Sequence, residues 1–257
     1  MAKSADDKWL AQFLEVTGIL NTVEIAAGRL RQGLPQIIGR GNASRKSEIE
    51  ARFDQALSPQ KVVDAFLAEI TSGLSLREDL LPNTVNRTGA HSFLTDIHHT
   101  TNGAILRNDF ATARDEYLAL TKADPEAAFV FETFAGVYGP FRSLISTIAY
   151  PAMKFDFAIL EAKRRATPPD RPFAYEIGPV GLDAMRETDA LTAAFIHGGL
   201  KDRTHRDLLL FATFLASDDG SQMLFVADTA LETAVDEPLA EMLIPFVDDG
   251  ENRSQKP

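Results

Sequence analysis

Residues 125–161 read PEAAFVFETFAGVYGPFRSLISTIAYPAMKFDFAILE, and this stretch decides the fold. Phe131, Phe134, Tyr138, Phe141, Ile145 and Ile148 recur at steps of three and four, the period of one buried helix face. The phase runs across Gly139-Pro140, so two helices or one kinked helix are predicted. Together with Phe129, Tyr150, Phe155 and Phe157, the segment holds more than a third of the chain's aromatic residues. Only Glu132 and Arg142 are charged between Ala127 and Met153. Aromatic side chains bury large apolar areas, so the core is expected here. A further helix is predicted over 152–165. Lys163-Arg164-Arg165 suits its C-terminus, although Lys154-Phe155-Asp156-Phe157 alternates like a strand.

Upstream, Phe110, Ala113, Tyr117 and Leu120 place a helix over 109–122, and Asp124-Pro125 ends it and starts the next. Asp109, Phe110, Ala113, Tyr117, Leu120, Asp124 and Pro125 also have the spacing of the second half of a tetratricopeptide repeat. Thr101 and Ala104 stand where that pattern prefers Gly and an aromatic, and no second copy lies 34 residues away. Since a solenoid needs about three repeats, the segment reads as a general helix hairpin. Residues 90–106 predict a helix with Asn102-Gly103 as a candidate break, and NTVNRTG (83–89) reads as a polar turn. Ser47 to Glu50 matches a capping box, and Ser58-Pro59 marks a second helix start. Residues 5–34 predict one helix on Trp9, Phe13, Val16, Leu20, Val23 and Ala27; residues 35–47 follow as a basic loop.

Downstream, three prolines within residues 166–172 mark a candidate domain boundary, and 173–180 reads as a short extended segment. Helices are predicted at about 182–197, 205–217 and 220–235, with Thr204 and Asp219 or Ser221 as caps, and a short one after Pro238. The expectation is an all-α chain, a multi-helix bundle or irregular array of about nine or ten helices with little or no sheet. It divides into a helical domain at 1–165 and an acidic helical region at 173–247, either separate or packed on the first. Residues 248–257 read as a disordered tail.

Composition narrows the function classes. The chain has 257 residues, a net charge of −11 and no cysteine. Disulfides, thiolate metal sites and cysteine nucleophiles are thereby excluded. The opening MAKSADDKWLAQFLEV carries Asp6, Asp7 and Glu15 and does not read as a secretory signal, so a soluble, cytoplasmic protein is expected. A membrane span over 127–153 would bring Glu132 and Arg142 into lipid at a cost of several kcal/mol, which argues against one. From Asp207 to Asn252 there are eleven acids and no Lys or Arg, which argues against nucleic acid.

The candidate chemistry is sparse. Asp96 with His99, and Asp202 with His205, form two Asp-x-x-His pairs of the kind that binds metal on facing helices, although the di-metal bundles use Glu in that place. The ordinary reading is a surface hydrogen bond near a helix end. His98, beside His99, reads as an exposed imidazole or a satisfied core residue. Glu132 interrupts the most apolar stretch and is the candidate catalytic acid or base if buried; otherwise it pairs with Arg142 or lies on the outer face. Arg40, Arg45 and Lys46 make a basic loop that could dock an acidic partner, without any nucleotide-binding signature. The leading expectation is a protein-binding scaffold, adaptor or regulatory partner, acting on another protein or on itself. The alternative is a helical enzyme or small-ligand protein, metal-dependent or not, with its pocket around 127–153.

Overall fold

The computed structural model describes residues 5–39, 43–74, 80–167 and 179–247. Among them every regular element is helical and there is no strand. The helices are α1 (Ala5–Val16), α2 (Ile19–Leu30), α3 (Leu34–Gly39), α4 (Lys46–Leu57), α5 (Pro59–Leu74), α6 (Leu80–Thr88), α7 (Ala90–Leu106) and α8 (Phe110–Ala123). They continue as α9 (Pro125–Val137), α10 (Gly139–Ala149), α11 (Pro151–Ala166), α12 (Pro179–Leu200), α13 (His205–Ala216), α14 (Asp218–Leu231) and α15 (Glu237–Val247). No helix among the described residues is long and apolar enough to cross a membrane.

The all-α expectation holds, and the helices outnumber the nine or ten expected because short breaks divide segments of continuous phase. Tyr138 and Tyr150 leave the helical conformation just before Pro140 and Pro151, so 125–166 becomes three helices. Phe131, Phe134, Tyr138, Phe141, Ile145 and Ile148 are all buried, as their period requires, whereas Phe129 points outward at 67 % exposure. Helix α10 is the hub of the array, in contact with α2, α9, α11, α12 and α14. Helix α12 packs across α7, α8 and α9, and α15 lies against α11 and α4.

Several boundaries differ from expectation. Residues 5–34 split at Gly18, whose φ of 79° is the left-handed region that glycine enters without a steric penalty. Asn102-Gly103 does not break α7, because the Asn102 side chain is buried and hydrogen-bonded. Residues 83–88 belong to α6 and only Gly89 of the expected turn is one: Thr84 and Thr88 are buried, and the Thr88 hydroxyl donates to the Thr84 carbonyl at 2.7 Å. Residues 152–165 are helical despite their alternation. Ser47 lies inside α4 and caps nothing there. Most of the boundary at 166–172, residues 173–178 of the expected extended segment and the tail at 248–257 lie outside the described residues, while residues 179 and 180 open α12 rather than extend.

The start of α13 follows its sequence signal. The Thr204 hydroxyl accepts from the Asp207 amide at 3.2 Å, while the Asp207 carboxylate accepts from the Thr204 amide at 3.0 Å. Thr204→Ala is expected to cost about 1 kcal/mol, read as a lower urea midpoint; an unchanged midpoint would refute a capping role. Ser217, rather than Asp219 or Ser221, caps α14 by accepting from the Gly220 amide at 3.1 Å.

Candidate functional site

Between α14 and α15 the chain makes one π turn over Glu232–Asp236. Pro238 gives it a physical cause: a proline has no amide to donate and crowds the carbonyl four residues back, and a widened turn relieves that clash. The turn carries Asp236 to α11, where its carboxylate meets the Lys154 ammonium at 2.7 Å. The Lys154 side chain is only 14 % exposed, so this pair is shielded from water more than most in the chain.

This pair lines the first of three neighbouring clefts, together called the trough. A cleft of about 440 Å³ is bounded by α11 and the π turn, with Phe157, Glu161, Arg165, Glu232 and Asp236 on its walls. Lys154 and Phe157 are shared with a second cleft of about 260 Å³, lined also by Ser143 and Ser146 of α10, Met153 of α11, Met185 of α12 and Asp228 of α14. Arg142 of α10 is shared with a third of about 510 Å³, lined by Tyr117, Glu132, Gly136, Arg186 and Asp189. The shared wall residues make the three clefts neighbours.

Ion pairs line the trough. Arg142 donates to Asp189 of α12. Arg164 and Arg165 hold the Glu161 carboxyl down to about 2. The Tyr117 hydroxyl donates to the Ala128 carbonyl at 3.2 Å or to the Glu132 carboxylate at 3.1 Å. Burial, and then the Glu132 charge, push that hydroxyl above the ordinary tyrosine range. Asp228 has no hydrogen-bond or ion-pair partner among the described residues. Asp228 is exposed, yet partial desolvation by its surroundings pushes its carboxyl up, and the Lys154 charge opposes that shift.

The residues singled out from sequence fall in different places. Glu132 lies on an exposed face of α9 at the third cleft, and Arg142 pairs with Asp189 rather than with it. Arg203 binds Asp96 and lies 5.1 Å over the Phe93 ring, while His99 sits exposed against Gly18. Asp202 and His205 are exposed around the start of α13, where Thr204 and Asp207 do the capping. Among the described residues no three His, Asp or Glu side chains gather into a group that could hold a metal ion. Arg40 lies outside the described residues. Arg45 turns inward, donating to the Pro245 carbonyl at 2.9 Å and to Glu48, and lying 4.2 Å from the Phe246 ring centre. Lys46 is exposed, 3.9 Å from Glu50.

Away from the trough, a buried polar chain crosses the core. His98 is fully buried; its Nδ1 lies 2.8 Å from the Thr22 hydroxyl and its Nε2 2.8 Å from the Tyr138 hydroxyl. Thr22 also reaches Asn102 Oδ1 at 2.9 Å, and Asn102 Nδ2 donates to the Gly18 carbonyl at 3.2 Å. The carbonyl can only accept, so Asn102 must present its amide nitrogen there and its oxygen to Thr22. The Thr22 proton has two acceptors, Asn102 Oδ1 and, at 3.0 Å, the Gly18 carbonyl. With the proton on either, His98 donates from Nδ1 to the Thr22 oxygen and accepts from Tyr138 at Nε2. Burial pushes the imidazole down to about 3.

Comparison with protein-family models, curated proteins and solved structures finds no match to this chain. Sequence reasoning missed Lys154, Phe157, Met185, Asp228 and Asp236. They come from three helices and a π turn, so no local spacing connects them.

Proposed function

We propose that the protein binds a segment of a partner protein along this trough. The adjacency of the three clefts at Lys154, Phe157 and Arg142 carries the reading. A small-molecule pocket is concave and mostly apolar, with a few polar groups. This site is instead an open run of charged pairs interleaved with Met153, Phe157 and Met185. Methionine and aromatic side chains adapt to varied partners and supply contact area, and charged walls set register. An extended peptide has the length and mixed chemistry to use such a surface.

The test is selection of a random-peptide display library on the immobilised protein, followed by affinity measurement with synthetic binders. Phe157→Glu and Arg142→Glu are each expected to weaken the selected peptides at least about tenfold, a loss of about 1.4 kcal/mol, with an unchanged circular-dichroism spectrum. Binders indifferent to both changes, or a selection that yields none, would overturn the reading.

A second reading, a small-ligand or catalytic site at the Tyr117–Glu132 end, is favoured by one observation. The buried His197 Nδ1 has no hydrogen-bond partner among the described residues, and its ring lies 6.1 Å from Tyr117 and 5.0 Å from Phe131. A compound from a fragment library that raises the melting temperature of the native chain, but not of Glu132→Gln, would support it. Equal shifts in both proteins would end it.

A further inference from the structure

We propose that the middle cleft is a slot for one basic side chain, an arginine or a lysine, of the bound segment. This rests on the trough reading and adds the chemistry of the residue at its centre.

The slot has two unlike ends. Met153, Phe157 and Met185 bound it with apolar and aromatic surface, and Asp228 supplies a carboxylate. Its volume of about 260 Å³ has the scale of one long side chain rather than of a drug-sized ligand. Lysine and arginine are built to the same plan, an apolar stem with a charged head. The stem lies against the methionines, the head reaches Asp228, and Phe157 offers a ring face to the cation.

The intramolecular cations nearby are already engaged. Lys154 is held by Asp236 at 2.7 Å, and Arg142 by Asp189. Asp228 faces the start of α10, its carboxylate oxygens 3.7–3.9 Å from where a side chain at Gly139 would begin. The helix N-terminus favours a negative charge there but does not neutralise it. Asp228 is exposed at the cleft, where an incoming cation can reach it, and partial desolvation by the cleft walls pushes its carboxyl up. The two cations that line the same cleft, Lys154 and Arg142, are held by Asp236 and Asp189, and α14 itself carries no Lys or Arg. Ser143 and Ser146 add hydroxyl oxygens that accept from a guanidinium or ammonium.

The experiment is a double-mutant cycle on peptides selected by display against the native chain. Peptides that depend on Phe157 are resynthesised with each basic residue replaced by norleucine, which keeps the stem and removes the charge. One such replacement is expected to weaken binding to the native protein at least about tenfold, and to have little further effect on Asp228→Asn. Trough-binding peptides that lack a basic residue, or whose norleucine forms bind both proteins alike, would overturn the slot and leave the trough standing. Absence of any Phe157-dependent peptide would overturn both. Spermidine competing at the peptide's own affinity, and losing that competition in Asp228→Asn, would reassign the slot to a small free cation and overturn the peptide assignment.

Discussion

Gly199→Ala is expected to destabilise the protein by about 3 kcal/mol, the upper part of the range for overpacking a closed contact. Gly199 lies in α12 where that helix crosses α7. A methyl group built there would stand 2.7 Å from the Ile97 Cα, 2.9 Å from the Ile97 amide nitrogen and 2.9 Å from the Asp96 carbonyl. The first distance is about 1 Å shorter than the separation at which two carbons attract best. The obstacles are backbone atoms, so no rotamer change clears them. The two helices must separate, and Ile97, Ile196 and Leu200, all fully buried, would lose contacts as they do. Gly28→Ala is the internal control. Gly28 is an exposed position inside α2 with nothing within 4 Å of the added methyl. There the same substitution is expected to stabilise by roughly 0.5–1 kcal/mol, because alanine loses less backbone freedom on folding. Urea denaturation of the two variants should therefore shift in opposite directions. A neutral Gly199→Ala would mean that α7 and α12 do not approach as closely as the geometry states.

Gly199 also shows which features were legible in the sequence. A helix ending near residue 197 was the natural reading, since two consecutive glycines weaken a helix. Here Gly199 is required by a crossing helix from a distant part of the chain, and that requirement leaves no local trace. The same holds for NTVNRTG. Its polarity suggested a turn, but threonine can bury its hydroxyl by donating to a carbonyl one turn back, as Thr88 does to Thr84. By contrast, the apolar face from Phe131 to Ile148 was legible because helix period and burial coincide there. The Thr204 cap was legible because its partner is three residues away.

The candidate site was legible only at Glu132 and Arg142, which stood out as charges in an apolar run. Their partners did not. Tyr117 reaches Glu132 from α8, and Asp189 reaches Arg142 from α12. Lys154 and Asp236, 82 residues apart, meet only because a π turn before Pro238 swings Asp236 towards α11. A pattern search for ligand spacings instead found the Asp-x-x-His pairs, whose Asp96 is taken by Arg203, a residue 107 positions away.

The core network makes the remaining large prediction. Thr22→Val keeps the shape of the side chain and removes its hydroxyl. It strands two buried groups together, the His98 Nδ1 donor and the Asn102 Oδ1 acceptor. Each unsatisfied buried group costs about 1–3 kcal/mol, so a loss of about 4 kcal/mol is expected. Thr22→Ser, which retains the hydroxyl, should lose only the methyl packing, about 1 kcal/mol. The network also fixes a pH dependence. The imidazole is held down to about 3 in the folded chain, against an ordinary value of 6.5. Between those values the unfolded chain binds a proton that the folded chain does not, so stability rises with pH across that window. The contribution is complete above about pH 6.5 and is lost as pH falls towards 3, at about 1.4 kcal/mol per pH unit for one proton. Carboxylates also titrate in this range, so the informative quantity is the difference between native protein and His98→Gln. Glutamine offers a donor and an acceptor and cannot take the proton. The stability advantage of the native protein over His98→Gln should shrink as the pH is lowered from 7 to 4. A difference that stays constant across that range would show that His98 is not held neutral by its surroundings.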